Sequence, residues 1–344
     1  DSGNLTIAGT SSFTTSANNG TITLNNANAF TGAVALNTTG SSAHATVVDA
    51  SGLDLAASTV GGNLVATATT GNMTDSGNLT IAGTSSFTTS ATDATITLNN
   101  ANAFTGAVSL NTTGSSANVF VDNGTRTFDI SASSVGGTLK IVNNYGITDS
   151  GTVTVGGLFA AEAESNNGWV NVNQLAVDGT VKIKTHGSGN ATVVNDAGLN
   201  FHGATNVRGN LVATATTGNI TGWFKVTGTS SYTTSQNNAD ITLTNGNVNA
   251  FAGAVSLNTT GSSGNATVVD ASGLNLGAST VGGNLVATAT TGNMTDSGVL
   301  TIAGTSSFTT SADNADIVLN NANAFTGAVG VNTTGSTGHA TVVD

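Results

Sequence analysis

The sequence predicts an all-β chain, a right-handed parallel β-helix built from modules of about 74 residues. Three observations carry that expectation. The stretch Asn-Asn-Ala-Asn-Ala-Phe-Thr-Gly-Ala-Val stands at residues 25–34, 99–108 and 320–329, with a near copy from Asn247 to Val255. Phe30 and Phe104 are separated by the same interval as Phe251 and Phe325, and such a fixed period marks a repeat architecture. Between these landmarks the chain reads as short alternating runs bounded by Gly, Asn or Ser, with no helical periodicity. A sandwich or closed barrel does not accommodate near-identical tandem modules, whereas a solenoid stacks them coil on coil. The right hand follows from the handedness of parallel crossover connections.

The first module shows how each element is justified. Leu5 and Ile7 alternate with polar neighbours, and Gly9 breaks the run. Phe13 sits among Ser and Thr in a second short strand. Asn18-Asn19-Gly20 reads as a turn, because Asn and Gly tolerate positive φ. Thr21 to Leu24 alternates again, Asn25 to Asn28 reads as a turn, and Phe30 is expected to point inward. Ala33 to Leu36, Thr46 to Val48, Leu53 to Leu55 and Leu64 to Thr67 complete the strands, divided by Gly32, Ser51-Gly52 and Gly61-Gly62. Three coils of ~25 residues or four of ~18 residues fit a module of this size, and four is the expectation.

The modules run 1–74, 75–148, 149–221 (diverged), 222–295 and 296–344 (partial), as one continuous solenoid over 1–344. Residues 1–49 and 296–344 agree at 40 of 49 positions without gaps. The chain therefore begins and ends inside its array. It reads as a window on something longer, or as a subunit that joins its own kind end to end.

Composition narrows the function classes. Only 7% of residues are charged, and 6 basic against 18 acidic residues give a net charge of −12. A polyanion repels phosphate backbones and anionic lipid, so nucleic acid is not an expected partner. No run approaches the ~20 apolar residues of a membrane span, so no membrane insertion is expected. The chain has no Cys and no Pro, which excludes disulfides and thiolate chemistry and leaves every residue a backbone donor.

Runs such as Gly62-Asn63-Leu64-Val65-Ala66-Thr67-Ala68-Thr69-Thr70-Gly71-Asn72 and Gly83-Thr84-Ser85-Ser86-Phe87-Thr88-Thr89-Ser90 resemble the repeats of filamentous-haemagglutinin-like bacterial exoproteins. The resemblance covers essentially the whole chain. It implies a right-handed parallel β-helix acting as a stalk, at the bacterial cell surface or secreted.

Candidate chemistry is sparse. Glu162 and Glu164 are the only glutamates, and their spacing puts both on one side of a strand. They read as solvated acids on a diverged repeat rather than a catalytic pair. His44 and His339 align with Asn118 and Asn265, which marks a polar turn position rather than a ligand. His186 and His202 stand apart, so no zinc spacing is present. Asp49 and Asp270 recur in Val-Val-Asp, where they are expected to cap a turn through Asx-type bonds. Thr67-Ala68-Thr69 raises ice binding, but Thr-x-Thr recurs about once per module rather than once per coil. The surface changes character between residues 169 and 225. Trp169, Lys182, Lys184, Trp223 and Lys225 form a candidate interaction patch there.

No catalytic, metal or cofactor-binding residue is expected. The leading expectation is a non-enzymatic structural segment of an extracellular bacterial fibre or adhesin stalk. Its partners would be further copies or a continuation of the same array, and cell-surface glycan or neighbouring fibres. A homopolymeric filament joined through open coil ends and a glycan-binding module centred on the third repeat are the alternatives.

Overall fold

The computed structural model describes residues 1–124, 126–244 and 249–344. The near copy that starts at Asn247 is therefore described only from Asn249, since Asn247 and Val248 lie outside the described residues. The chain divides into two units, residues 1–179 and 180–344. Each is a parallel β-solenoid, and no helix occurs among the described residues.

In the first unit the strands form two parallel sheets. One contains Ile22–Phe30, Ala45–Asp49, Leu64–Ala68, Ser85–Thr92 and Val108–Thr113, each paired with the next. The other contains Ser11–Thr14, Val34–Asn37, Leu53–Leu55 with Ser58–Val60, Met73–Asp75 with Leu79–Ile81, and Ile96–Phe104. Alternation decides which side chains enter the bore. Along Ile96–Phe104, Ile96, Leu98, Asn102 and Phe104 are buried, while the residues between face outward.

The bonds between neighbouring coils give the length of a coil. The step is 23 residues between Leu5 and Asn28, 19 between Phe30 and Asp49, and 21 between Asn63 and Thr84. In the second unit it reaches 25, between Phe224 and Asn249. The expected four coils per module would each be too short to close. One coil must supply two arms and the bends between them, and an arm is either one strand or two short ones split by a corner.

The second module has seven such arms: Met73–Asp75 with Leu79–Ile81, Ser85–Thr92, Ile96–Phe104, Val108–Thr113, Val119–Asn123, Phe128–Ile130 with Ser133–Val135, and Leu139–Asn143. Seven half-turns make three and a half turns per module, so neither three nor four coils is correct. An odd number of arms sends equivalent strands to opposite sheets. Ser11–Thr14 pairs in one sheet of the first unit, and its counterpart Ser85–Thr92 pairs in the other. The second unit repeats this with Ser230–Asn237 and Ser306–Asp313. Within a unit each module thus advances about 17 Å at the usual strand spacing and turns the motif to the opposite face.

The repeated spacing of two phenylalanines places one ring from each sheet in the bore. Phe87 and Phe104 meet edge to face at 5.6 Å between ring centres, Phe13 and Phe30 at 5.9 Å, and Phe308 and Phe325 at 5.8 Å. This geometry suits the quadrupoles of the two rings.

In its first two copies the organising stretch is a kink rather than the expected turn, while in the copy at 320–329 the strand stops at Leu319 and resumes at Ala324. Ile22–Phe30 and Ile96–Phe104 run through it, with the register slipping between Leu98 and Asn102. A buried amide bridges the slip. Asn102 Oδ1 accepts from the Leu79 N–H at 2.8 Å, and its Nδ2 donates to Asp75 Oδ2 at 2.8 Å. Asn28 and Asn323 accept equivalent bonds from Leu5 and Leu300, and Asn249 accepts from Phe224. The motif keeps an Asn there because only a short side chain with both donor and acceptor serves both coils. Asn102→Leu leaves the buried Leu79 N–H unpaired and is expected to cost about 2 kcal/mol in a denaturant titration. An unchanged midpoint with unchanged slope would mean that this amide is not a coil-to-coil tie.

Candidate functional site

The expected interaction patch is divided between the units. Trp169 belongs to the first, and Lys182, Lys184, Trp223 and Lys225 belong to the second. In the second unit Lys184 pairs with Asn206 and Asn206 with Lys225, so the two lysines occupy one outward column two coils apart. Trp223 is 40% exposed, and its ring lies over Gly203, where a Cβ would collide with the indole.

Trp169 meets residues that its place in the sequence does not join to it. Its indole lies over Gly146 in the preceding coil, where a Cβ would collide with Cε2 and Cζ2. The Ile147 N–H donates to the Trp169 carbonyl at 2.9 Å, which fixes the register. Tyr145, next to Gly146, is 54% exposed and Trp169 is 38% exposed. Both rings border a cleft of about 450 Å³ whose other walls are Gly124, Asn144, Ser165, Asn166, Asn167 and Gly168. Asn144 Nδ2 donates to the Gly124 carbonyl and ties two walls together. On its other side Tyr145 borders a second cleft, of about 370 Å³, with Thr105, Arg126 and Thr127. The signal that could have joined these residues is the coil length, since Tyr145 and Gly168 lie one coil step apart, in the register that pairs Ile147 with Val170.

The two glutamates do not form an open carboxylate pair. Glu162 is buried at 7% exposure with Lys140 Nζ 4.0 Å from its carboxylate, while Glu164 is exposed beyond the strand end. Lys140 also lies 5.1 Å over the Phe120 ring. Burial, then the negative charges of Glu164 and Asp75, push the Asp122 carboxyl above its ordinary range, with Lys140 opposing.

The histidine position serves as a polar corner. His44 Nδ1 accepts from the Asn63 N–H at 2.9 Å, and Asn118 and Asn265 accept the corresponding N–H of Thr138 and Asn284. Asp49 and Asp270 accept from Ser51 and Ser272 two residues on, the expected Asx bond. Their second oxygens reach back one coil to the N–H of Phe30 and Phe251. Thr67 stands in an outward column with Val48, Thr88 and Asn111, not in an unbroken threonine array. Among the described residues no three His, Asp or Glu side chains converge to hold a metal ion, and no helix is long and apolar enough to cross a membrane.

Burial raises the Asp270 carboxyl above its ordinary value of 3.8, against its Ser272 and Phe251 donors. The folded state then holds a proton that the unfolded chain releases, so this group favours folding at low pH. Its contribution is lost as pH rises from the ordinary value through the folded one. Asn123 already shows the neutral alternative, accepting the Phe104 N–H at 2.9 Å. Asp270→Asn is therefore expected to flatten the decline in melting temperature between about pH 4 and pH 7 and to match or exceed the wild type at the upper end. Thermal melts of both proteins across that range check it, and parallel declines would overturn it.

No curated protein and no solved structure matches the chain. A family model does match it, over residues 1–37, 42–111, 116–183, 188–258 and 263–332. Successive starts at 42, 116, 188 and 263 reproduce the module period in a shifted frame. The chain, a repetitive β-solenoid, belongs to the family described as repeats of unknown function (DUF5649).

Proposed function

We propose that the chain is a non-enzymatic structural segment of an extracellular bacterial fibre or adhesin stalk. One observation carries the reading. The buried polar side chains are used to tie each coil to the next, as Asn102 does with Leu79 and Asp75 and Asp270 does with Phe251. Such an array is stabilised by nearest neighbours, and near-identical modules extend it without a new core. The resemblance of the repeats to filamentous-haemagglutinin-like exoproteins supports placement at the cell surface, with further solenoid of the same kind as the partner. The low charge, 7% of residues, suits a spacer with few specific contacts along its length.

Antibody raised against the solenoid and applied to intact and permeabilised cells of the producing bacterium tests the reading. Labelling of intact cells is the expected result. Signal confined to permeabilised cells would sink the extracellular role, and release of sugar fragments from a polysaccharide panel would sink the non-enzymatic one.

A further inference from the structure

We infer that the cleft between Tyr145 and Trp169 is a binding site for an uncharged oligosaccharide, taken by stacking pyranose rings on the two exposed aromatic side chains. The inference does not depend on the stalk reading and would hold for a solenoid of any other role.

This corner is built differently from its counterparts in the other modules. In three of them the position equivalent to Gly146 is an asparagine, and its side chain accepts the backbone N–H of the next coil. Asn72 accepts from Thr95 at 2.9 Å, Asn219 from Asp240 at 2.8 Å and Asn293 from Asp316 at 2.9 Å. Trp169 takes the place of Thr95, Asp240 and Asp316. The side-chain bridge is replaced on both coils together, by a glycine and by an indole lying on it, and a Cβ at Gly146 would overlap that indole. The flanking bends change as well. Four residues separate Asn123 from Phe128 where three separate Asp49 from Leu53, and three separate Asn143 from Ile147 where four separate Ala68 from Met73. The cleft lies against the second of these bends, at Asn144 and Tyr145, and is closed by Ser165 to Trp169 of the following coil.

The walls indicate the ligand. Sugar rings present C–H faces that pack on aromatic faces, and Tyr and Trp offer apolar area with a polar edge. Sugar hydroxyls donate and accept, as do the amide side chains of Asn144 and Asn166. Those walls carry no formal charge, in a chain of net charge −12, so an uncharged polyhydroxylated ligand suits them better than a polyanion. The volume of about 450 Å³ lies within the ~300–1,000 Å³ typical of small-ligand sites.

Tryptophan fluorescence reads this directly, because the chain has two tryptophans and Trp223→Phe leaves Trp169 as the sole reporter. The W223F protein is titrated with cellohexaose, chitohexaose and maltohexaose to millimolar concentration, and with a decaproline peptide as the competing aromatic-groove ligand. A saturable change with at least one hexasaccharide is expected, weakened about tenfold or more by Tyr145→Ala. Calorimetric titration of the otherwise native chain is expected to lose the same heat in Trp169→Ala. Tyr145 is 54% exposed, so the circular dichroism and melting temperature of Tyr145→Ala are expected to stay near wild type and to separate lost binding from lost folding. No saturable change with any of the three sugars, saturation by decaproline alone, or full binding by Tyr145→Ala would each overturn the inference.

Discussion

Phe104→Ala is expected to destabilise the coils around it by about 3–5 kcal/mol. Phe104 is 1% exposed and its ring meets Phe87 at 5.6 Å and Phe128 at 6.5 Å, both edge to face. Three arms, Ser85–Thr92, Ile96–Phe104 and Phe128–Ile130 with Ser133–Val135, therefore share this one ring. Truncation removes its transfer free energy and leaves a void, and the size of the loss depends on how far the walls can collapse. Here they cannot collapse far. Strand spacing along the stack is set by the backbone ladder, and Ile81 and Asn123 hold the Phe104 backbone from both sides by register and by a 2.9 Å bond. The upper half of the range is the expectation for that reason.

Because each coil touches only its neighbours, the loss should be local. Native-state hydrogen exchange measures it: amides between residues 81 and 130 are expected to lose protection, while those of the second unit keep theirs. Equal loss everywhere would show that the chain unfolds as one unit, and no loss anywhere would remove Phe104 from the core.

How much of this is legible in the sequence depends on the level. Alternation of Leu5 with Ile7, or Ile22 with Leu24, identifies strands because burial on one face imposes a period of two. The Val-Val-Asp carboxylates are legible too, since an Asx bond is local and Asp49 makes it two residues on. Coil length is not. It depends on whether Asn25 to Asn28 ends a strand or kinks it, and that is decided by Asn28 reaching Leu5, 23 residues away. Ser58–Val60 escapes recognition because three residues with a single inward valine carry little periodicity. Without the coil length, Tyr145 and Trp169 are merely two aromatic residues far apart in the chain. With it, they are neighbours on adjacent coils. Composition alone draws attention to the indole, and its partner needs the register.

Gly83→Val is expected to be at least as damaging as the loss of the aromatic ring, by overpacking rather than by a cavity. A Cβ on Gly83 would collide with Asn63 Oδ1 and stand 2.6 Å from the Gly62 carbonyl carbon and oxygen. Gly106, one coil on, is as close to Gly83, with its own Cβ 2.6 Å from the Gly83 carbonyl carbon. Gly62, Gly83 and Gly106 thus form a column at a corner where three coils pack backbone against backbone. An overlap with a flexible side chain is relieved by rotation, but an overlap with main chain is relieved only by parting the coils. Parting them stretches the Gly83 N–H to Gly62 carbonyl bond of 2.9 Å and the Thr84 N–H to Asn63 bond of 3.0 Å. Overpacking with backbone shifts costs about 1–3 kcal/mol in ordinary cores, and losing these bonds adds to it, so a loss of at least about 4 kcal/mol is expected. Ala82→Val supplies the control. Ala82 precedes Gly83 in the same Ile-Ala-Gly-Thr run, and its side chain is exposed. Ala82→Val is therefore expected to melt near the wild type while Gly83→Val does not. If the two variants melt alike, the cost belongs to the local Ile-Ala-Gly-Thr sequence and not to the approach of one coil to the next.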